Sequence, residues 1–262
     1  MRSKVQTIVK GLLRMTHGRN WLFVLALLLL ASASHAVRAA SLPPGFTDLQ
    51  VSRPDGRLWD NAAGVAVAPD GRTFVWERTG RVWLATGADV STAPLIDLSD
   101  EVSTIGSLGL TGLALDPQFE RNGYVYLFYS VDPTYLVNCN APVTGAAVCR
   151  GGYRASQHAT TGATIGRLVR YQLVLPPGAA GYSTATAVNY ASRRILLGET
   201  PTGGPSGCLV TDTAHGTGGL AFGSDGTLLA GCGDGASASG ENFVRPAKAA
   251  NPPRAAGASF ER

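Results

Sequence analysis

Two residues suited to proton transfer frame one strand–turn–strand of this chain. His215 precedes it, and Asp234 sits in the Gly233-Asp234-Gly235 run that follows its return strand. If residues 220–233 fold as a hairpin turning at Ser224 to Gly226, the chain comes back to its starting end and both side chains lie there. Histidine titrates near neutrality and can take a proton from a hydroxyl, while a carboxylate beside it orients the ring and stabilises the imidazolium. The plainer account is a surface histidine beside Gly and Thr, with the aspartate as a turn former. His158 is the other histidine beyond residue 40 and reads as a loop residue, so a histidine-rich metal site is excluded by count.

The first forty residues bear on where such chemistry takes place. Arg2, Lys4, Lys10, Arg14 and Arg19 precede the apolar run Trp21 to Leu30, and small residues follow through Ala36. That order predicts a secretory signal peptide over 1–40, cleaved after Ala36, Ala39 or Ala40. A spanning helix needs roughly 20 apolar residues, so a lasting membrane anchor is not expected, and the mature chain is expected to be periplasmic or secreted. The formal charge of +4 also changes meaning. Six of the 22 basic residues lie within 1–40, leaving 16 against 18 acidic residues, a net −2. That balance gives no electrostatic footprint for nucleic acid.

In an oxidising compartment the four cysteines, Cys139, Cys149, Cys208 and Cys232, read as two disulfides, with three connectivities open. Spacing favours Cys139–Cys149 as a loop staple, which leaves Cys208–Cys232. No C-x-x-C occurs, so zinc and thioredoxin-like readings have no support.

The elements that must position His215 and Asp234 show in a repeat. Gly64 to Gly71, Gly112 to Phe119 and Gly219 to Gly226 each open with Gly, continue apolar-Ala-apolar, and end in a polar turn. Each is followed by another apolar strand, at Thr73 to Trp76, Tyr124 to Tyr129 and Thr227 to Ala230. Short strands with Asp-Gly or Asn-Gly turns, at a period near 50, predict an all-β chain of propeller blades. A β-sandwich would account for the strands but not for the recurring unit. The second interval is about twice the first, so a further blade is expected inside it, containing Gly166 to Val174 and Ser192 to Leu197. Between Asp132 and Thr164 the strand pattern lapses, which predicts a long ordered excursion.

Several motif matches fail in context. Gly216 to Ala221 fits G-x-G-x-x-A but leads into a strand instead of a helix. Gly204 to Gly207 lacks the spacing of a nucleophile elbow, and no EF-hand loop is present.

Four segments in order carry a family resemblance: Pro43 to Phe46; Pro69 to Arg72 with Glu77 to Val82; Gly109 to Phe119 with Asn122 to Tyr126; and His215 to Gly226 with Gly233 to Gly235. Collinear from about 43 to 237, they resemble the glucose/sorbosone dehydrogenase family of soluble pyrroloquinoline-quinone (PQQ) dependent aldose dehydrogenases. The resemblance implies a six-bladed β-propeller, here an incomplete one of about three to four blades over 41–240, followed by an irregular tail over 241–262. It implies PQQ and calcium as cofactors, and a small-molecule sugar as substrate, with the electron acceptor open. His215 is then the base that takes the sugar hydroxyl proton while hydride leaves for the quinone, and Asp234 is its orienting partner.

Two departures bear on substrate: Ala214 precedes the histidine, and Gly106 to Leu108 lacks an acidic or amide side chain. Residues for PQQ and the calcium ligands are expected mainly downstream of this chain, so no metal site is expected within it. A ring at about 50 residues per blade outruns this length, and a truncated, inactive product is expected. The rival readings are a non-catalytic secreted binding propeller and a calcium-dependent lactonase-type hydrolase. The latter needs carboxylates at the blade openings, which the three aligned openings lack.

Overall fold

A computed structural model describes residues 42–140, 148–149, 163–199, 208–235 and 258–260. The segment 1–40 expected to be a signal peptide, His158, and all of the 241–262 tail except 258–260 lie outside the described residues. Two compact units divide the chain, Met1–Asp48 and Leu49–Arg262. In the first, Phe46 closes a turn on the Pro43 carbonyl. Among the described residues, all of the sheets belong to the second.

The chain is all-β, built from antiparallel sheets. The first sheet holds β1 (Ala62–Val67), β2 (Thr73–Glu77), β3 (Arg81–Thr86) and β4 (Asp89–Val90) in that order, with β5 (Ile96–Asp97) also on β3. The second holds β6 (Leu110–Leu115), β7 (Tyr124–Ser130), β10 (Thr164–Leu173) and β11 (Val188–Leu197) in the order β11-β10-β7-β6, with β12 (Cys208–Val210) also on β10. The third runs β13 (Thr217–Phe222), β14 (Leu228–Cys232), β15 (Ala258–Phe260). Helix α1 (Phe119–Asn122) lies between β6 and β7. Helix α2 (Pro133–Asn138) follows β7 and leads into the two-stranded pair β8 (Cys139–Asn140) and β9 (Val148–Cys149).

The repeat has a shared physical form. Gly64, Gly112 and Gly219 are each the third residue of a six-residue strand, and the ladder slips register at or beside each one. The turns before the return strands are also alike. Asp70, Asn122 and Asp225 each accept, through the side chain, the backbone N–H two residues on, at 3.0, 3.0 and 2.9 Å. Between each donor and acceptor sits a glycine of positive φ, Gly71, Gly123 or Gly226, a conformation open to Gly at no steric cost.

One expectation is overturned. Residues 166–174 and 192–197 do not make a blade of their own; they complete the second sheet. β10 pairs with β7 from Gly166 opposite Ser130 to Gln172 opposite Tyr124. Backbone hydrogen bonding decides this, because the free edge of β7 is satisfied by β10 along nearly its whole length. The doubled interval is therefore one sheet with an excursion inserted, and β13 opens the next. Within the tail, residues 258–260 form β15 and pair with β14.

Two apolar layers join the three sheets. Phe74, Trp76, Val82 and Leu84 of the first pack with Leu113, Val125, Leu127 and Tyr129 of the second. Ala114, Tyr126, Phe128 and Leu168 on the second sheet's other face pack with Leu228 and Ala230, and with Leu220 and Phe222, of the third. A charged group sits at the margin of the first layer: buried Glu101 accepts from Arg167 Nη1 at 2.6 Å, Arg193 Nη2 at 2.7 Å and the Tyr129 hydroxyl at 2.7 Å. Burial alone would raise its carboxyl, but the Arg193 and Arg167 charges overcome that and hold it below the ordinary glutamate value.

Candidate active site

The His215 loop joins β12, the last strand of the second sheet, to β13, the first of the third. A disulfide between Cys208 and Cys232, with Cα atoms 5.9 Å apart, ties β12 to the end of β14. Cys139 is also disulfide-bonded, and its register partner across β8 and β9 is Cys149.

The strand–turn–strand from Thr217 to Cys232 brings the chain back on itself. Gly223 N–H donates to the Thr227 carbonyl at 2.8 Å at the tip, and Gly233 N–H donates to the Gly216 carbonyl at 2.6 Å at the base. The hairpin therefore ends with His215 and Asp234 side by side: His215 Nδ1 lies 3.1 Å from Asp234 Oδ1. Both side chains are open to solvent, 53% and 66% exposed. Gly235 N–H donates to the His215 carbonyl at 2.9 Å, and the Thr211 hydroxyl donates to the Gly235 carbonyl at 3.0 Å. Any side chain at Gly233 would collide with the His215 carbonyl, so the strands close this tightly only with glycine there.

An ionised carboxylate is an acceptor only. A neutral imidazole paired with Asp234 therefore carries its proton on Nδ1 and leaves the Nε2 lone pair free. This is the arrangement in which a histidine can accept a proton from a hydroxyl at its outer edge while the carboxylate fixes its tautomer.

A second loop supports the first. Ser107 N–H donates to the Thr213 carbonyl at 2.9 Å, and Gly106, at φ 53°, lies so near that carbonyl that a side chain would strike it. Arg78, from the turn after β2, donates through Nη1 to the carbonyls of Gly106 at 2.7 Å and Leu108 at 2.8 Å. A longer contact of 3.4 Å reaches Thr104. Ala214 is buried and presents no polar side chain. Sequence reasoning gave Arg78 no role, although it lies in the Glu77 to Val82 segment; only its clasp on a loop far along the chain reveals one.

Part of the chain matches a known family. Residues 59–165 match the family model described as Glucose / Sorbosone dehydrogenase. The matched range takes in the first sheet, β6 and β7, and it stops before His215 and Asp234. Over 198 residues the chain is 26% identical to the HIPL2 protein of Arabidopsis thaliana, covering 69% of this chain and 26% of that one. Among solved structures it is similar to the PQQ-bound form of aldose sugar dehydrogenase from Streptomyces coelicolor, at 18% identity and a TM-score of 0.40, over 76% of this chain and 45% of that one. It is also similar to the apo-form of the soluble aldose sugar dehydrogenase from Escherichia coli, at 16% identity and a TM-score of 0.40, over 67% and 38%. The chain thus spans about a quarter of the curated relative, and less than half of each of these solved relatives.

Proposed function

We propose that this chain is part of a β-propeller, PQQ-dependent aldose sugar dehydrogenase in which His215 takes the proton of a sugar hydroxyl and Asp234 holds it ready. The observation that carries the proposal is the 3.1 Å approach of Asp234 Oδ1 to His215 Nδ1 at the open end of the third sheet's hairpin. It is supported by the family match over 59–165. In this reading the hydroxyl proton passes to His215 Nε2, Asp234 stabilises the resulting imidazolium, and PQQ, when bound, supplies the electron acceptor.

The residues on hand do not by themselves fit that cofactor and its calcium. PQQ is a polycarboxylate, while Asp234 brings negative charge to the site, and the nearby guanidinium, Arg78, spends Nη1 on backbone carbonyls. Among the described residues no group of three or more His, Cys, Asp or Glu could hold a metal ion. This chain's share of the reaction is proton abstraction, with quinone and calcium held by residues outside those described. Export to the periplasm or beyond is part of the same reading, supported by the basic, then apolar N-terminus and by the Cys208–Cys232 bond.

The test is a titration of the purified chain with PQQ and calcium, read by the quinone's absorbance, followed by aldoses with a dye acceptor. Quinone binding and aldose-dependent dye reduction support the proposal. Sugar binding without dye reduction would make the chain a binding module, and binding of neither would end the dehydrogenase reading for this chain.

A further inference from the structure

Asp234 sits in a run with little of its own to hold it in place. Residues 231–235 read Gly-Cys-Gly-Asp-Gly, so three of the five carry no side chain to pack, and glycine gives up the most conformational freedom when it is fixed. Of the two side chains left, Asp234 is the exposed one set against His215. Cys232 is the one bonded into the neighbouring sheet.

The β13–β14 ladder does little for this run. Leu220 pairs with Ala230, Ala221 with Leu229 and Phe222 with Leu228, but the register slips before the last pair, Thr217 opposite Cys232. Three hydrogen bonds then close the site: Gly233 N–H to the Gly216 carbonyl, Gly235 N–H to the His215 carbonyl, and the Thr211 hydroxyl to the Gly235 carbonyl. All three act on residues beyond Cys232, so each depends on where the chain leaves that residue.

The bond reaches into the core of the second sheet. Cys208 pairs with Gly166 of β10 and is buried in one apolar cluster with Phe128, Leu168 and Leu197 of that sheet and with Leu228 and Ala230 of the third. The fit is close, since a Cβ on Gly166 would meet the Cys208 Cβ at 3.0 Å. Cys208 lies seven residues before His215, and Cys232 two before Asp234. One Sγ–Sγ bond thus ties together the two stretches of chain that carry the pair.

We propose that the Cys208–Cys232 disulfide is a redox latch on the candidate site: with the bond formed, Asp234 is held at His215, and with both thiols free it is not. In closing the latch, the two thiols give up two electrons and two protons to a disulfide oxidant, which leaves as a dithiol. The pair is then assembled only in a compartment where that exchange favours the disulfide. That the latch governs activity rests on the dehydrogenase reading; that it sets the geometry does not.

The test reduces and reoxidises a chain carrying Cys139→Ala with Cys149→Ala, so that a single bond responds. Ring-nitrogen NMR of His215, with the imidazole neutral, and amide exchange are read in each state. The oxidised chain should carry the ring proton on Nδ1, toward Asp234, and the reduced chain on Nε2, which a neutral histidine without a carboxylate partner prefers. On reduction, exchange at Gly233 and Gly235 should accelerate by about tenfold or more, while β7 and β10 exchange as before, and reoxidation should restore both readouts. A chain carrying Cys208→Ala with Cys232→Ala should match the reduced one whatever oxidant is present. An Nδ1 proton and slow exchange that persist without the bond would overturn the proposal. So would loss of protection across β7 and β10, which would make the bond a staple of the whole fold. PQQ binding, which decides the dehydrogenase reading, does not enter these outcomes.

Discussion

Ser107 N–H donates to the Thr213 carbonyl at 2.9 Å, which couples the loop leading into the second sheet to the loop that carries His215. Arg78 holds the first of these loops by its carbonyls, so the guanidinium is linked through backbone contacts to the loop that carries His215.

Arg78→Ala should loosen both loops together. Its hydrogen bonds to Gly106 and Leu108 would be lost, at about 1–3 kcal/mol for charge-assisted bonds. Amide exchange at Ser107 and across 211–216 should accelerate, while that of β7 and β10 stays as it was. Unchanged exchange at 211–216 would show that the two loops are not coupled.

Glu101→Gln should cost about 3–5 kcal/mol in denaturant unfolding, because it leaves Arg167 and Arg193 buried without their counter-charge. The pH dependence follows from the direction of the Glu101 shift. Its folded value lies below the ordinary one, so its stabilisation is fully present above the unfolded carboxyl's pKa and is lost as pH falls through the folded value. The unaltered protein should therefore lose stability in acid more steeply than Glu101→Gln does. Parallel acid profiles would remove Glu101 as the source.

For the catalytic pair, tested in a complete homologue built from this sequence, His215→Ala should lower kcat for aldose oxidation by about 10²-fold or more, the scale of general-base removal, with PQQ binding retained. Asp234→Asn should cost less, since it disturbs the base without deleting it. Near-full turnover in His215→Ala would end its assignment as the base.

The parts of this fold that depend on neighbours in sequence were legible before the structure. The Gly-apolar-Ala-apolar strands and Asx-Gly turns are local patterns, and so is the hairpin that returns His215 to Asp234. What was not legible depends on pairing across long separations. Residues 166–174 carry the same apolar alternation whether they open a blade or complete one, and only the free edge of β7 decides. Glu101 meets Arg167 and Arg193 over separations of 66 and 92 residues, and nothing in the sequence around Glu101 distinguishes it from a solvated loop carboxylate. Arg78 was hidden for the same reason, since its acceptors are carbonyls and leave no mark in residue type.

His215 has φ 52°, the left-handed region, which a branched Cα enters at a cost of roughly 1–2 kcal/mol and glycine enters freely. Its carbonyl is turned by that conformation toward Gly235, and the tight closure at Gly233 depends on the same turn. A glycine at 215 would satisfy the backbone better than the histidine does. The fold alone would therefore drift toward losing the imidazole, and retaining it at this position sets local stability against side-chain chemistry.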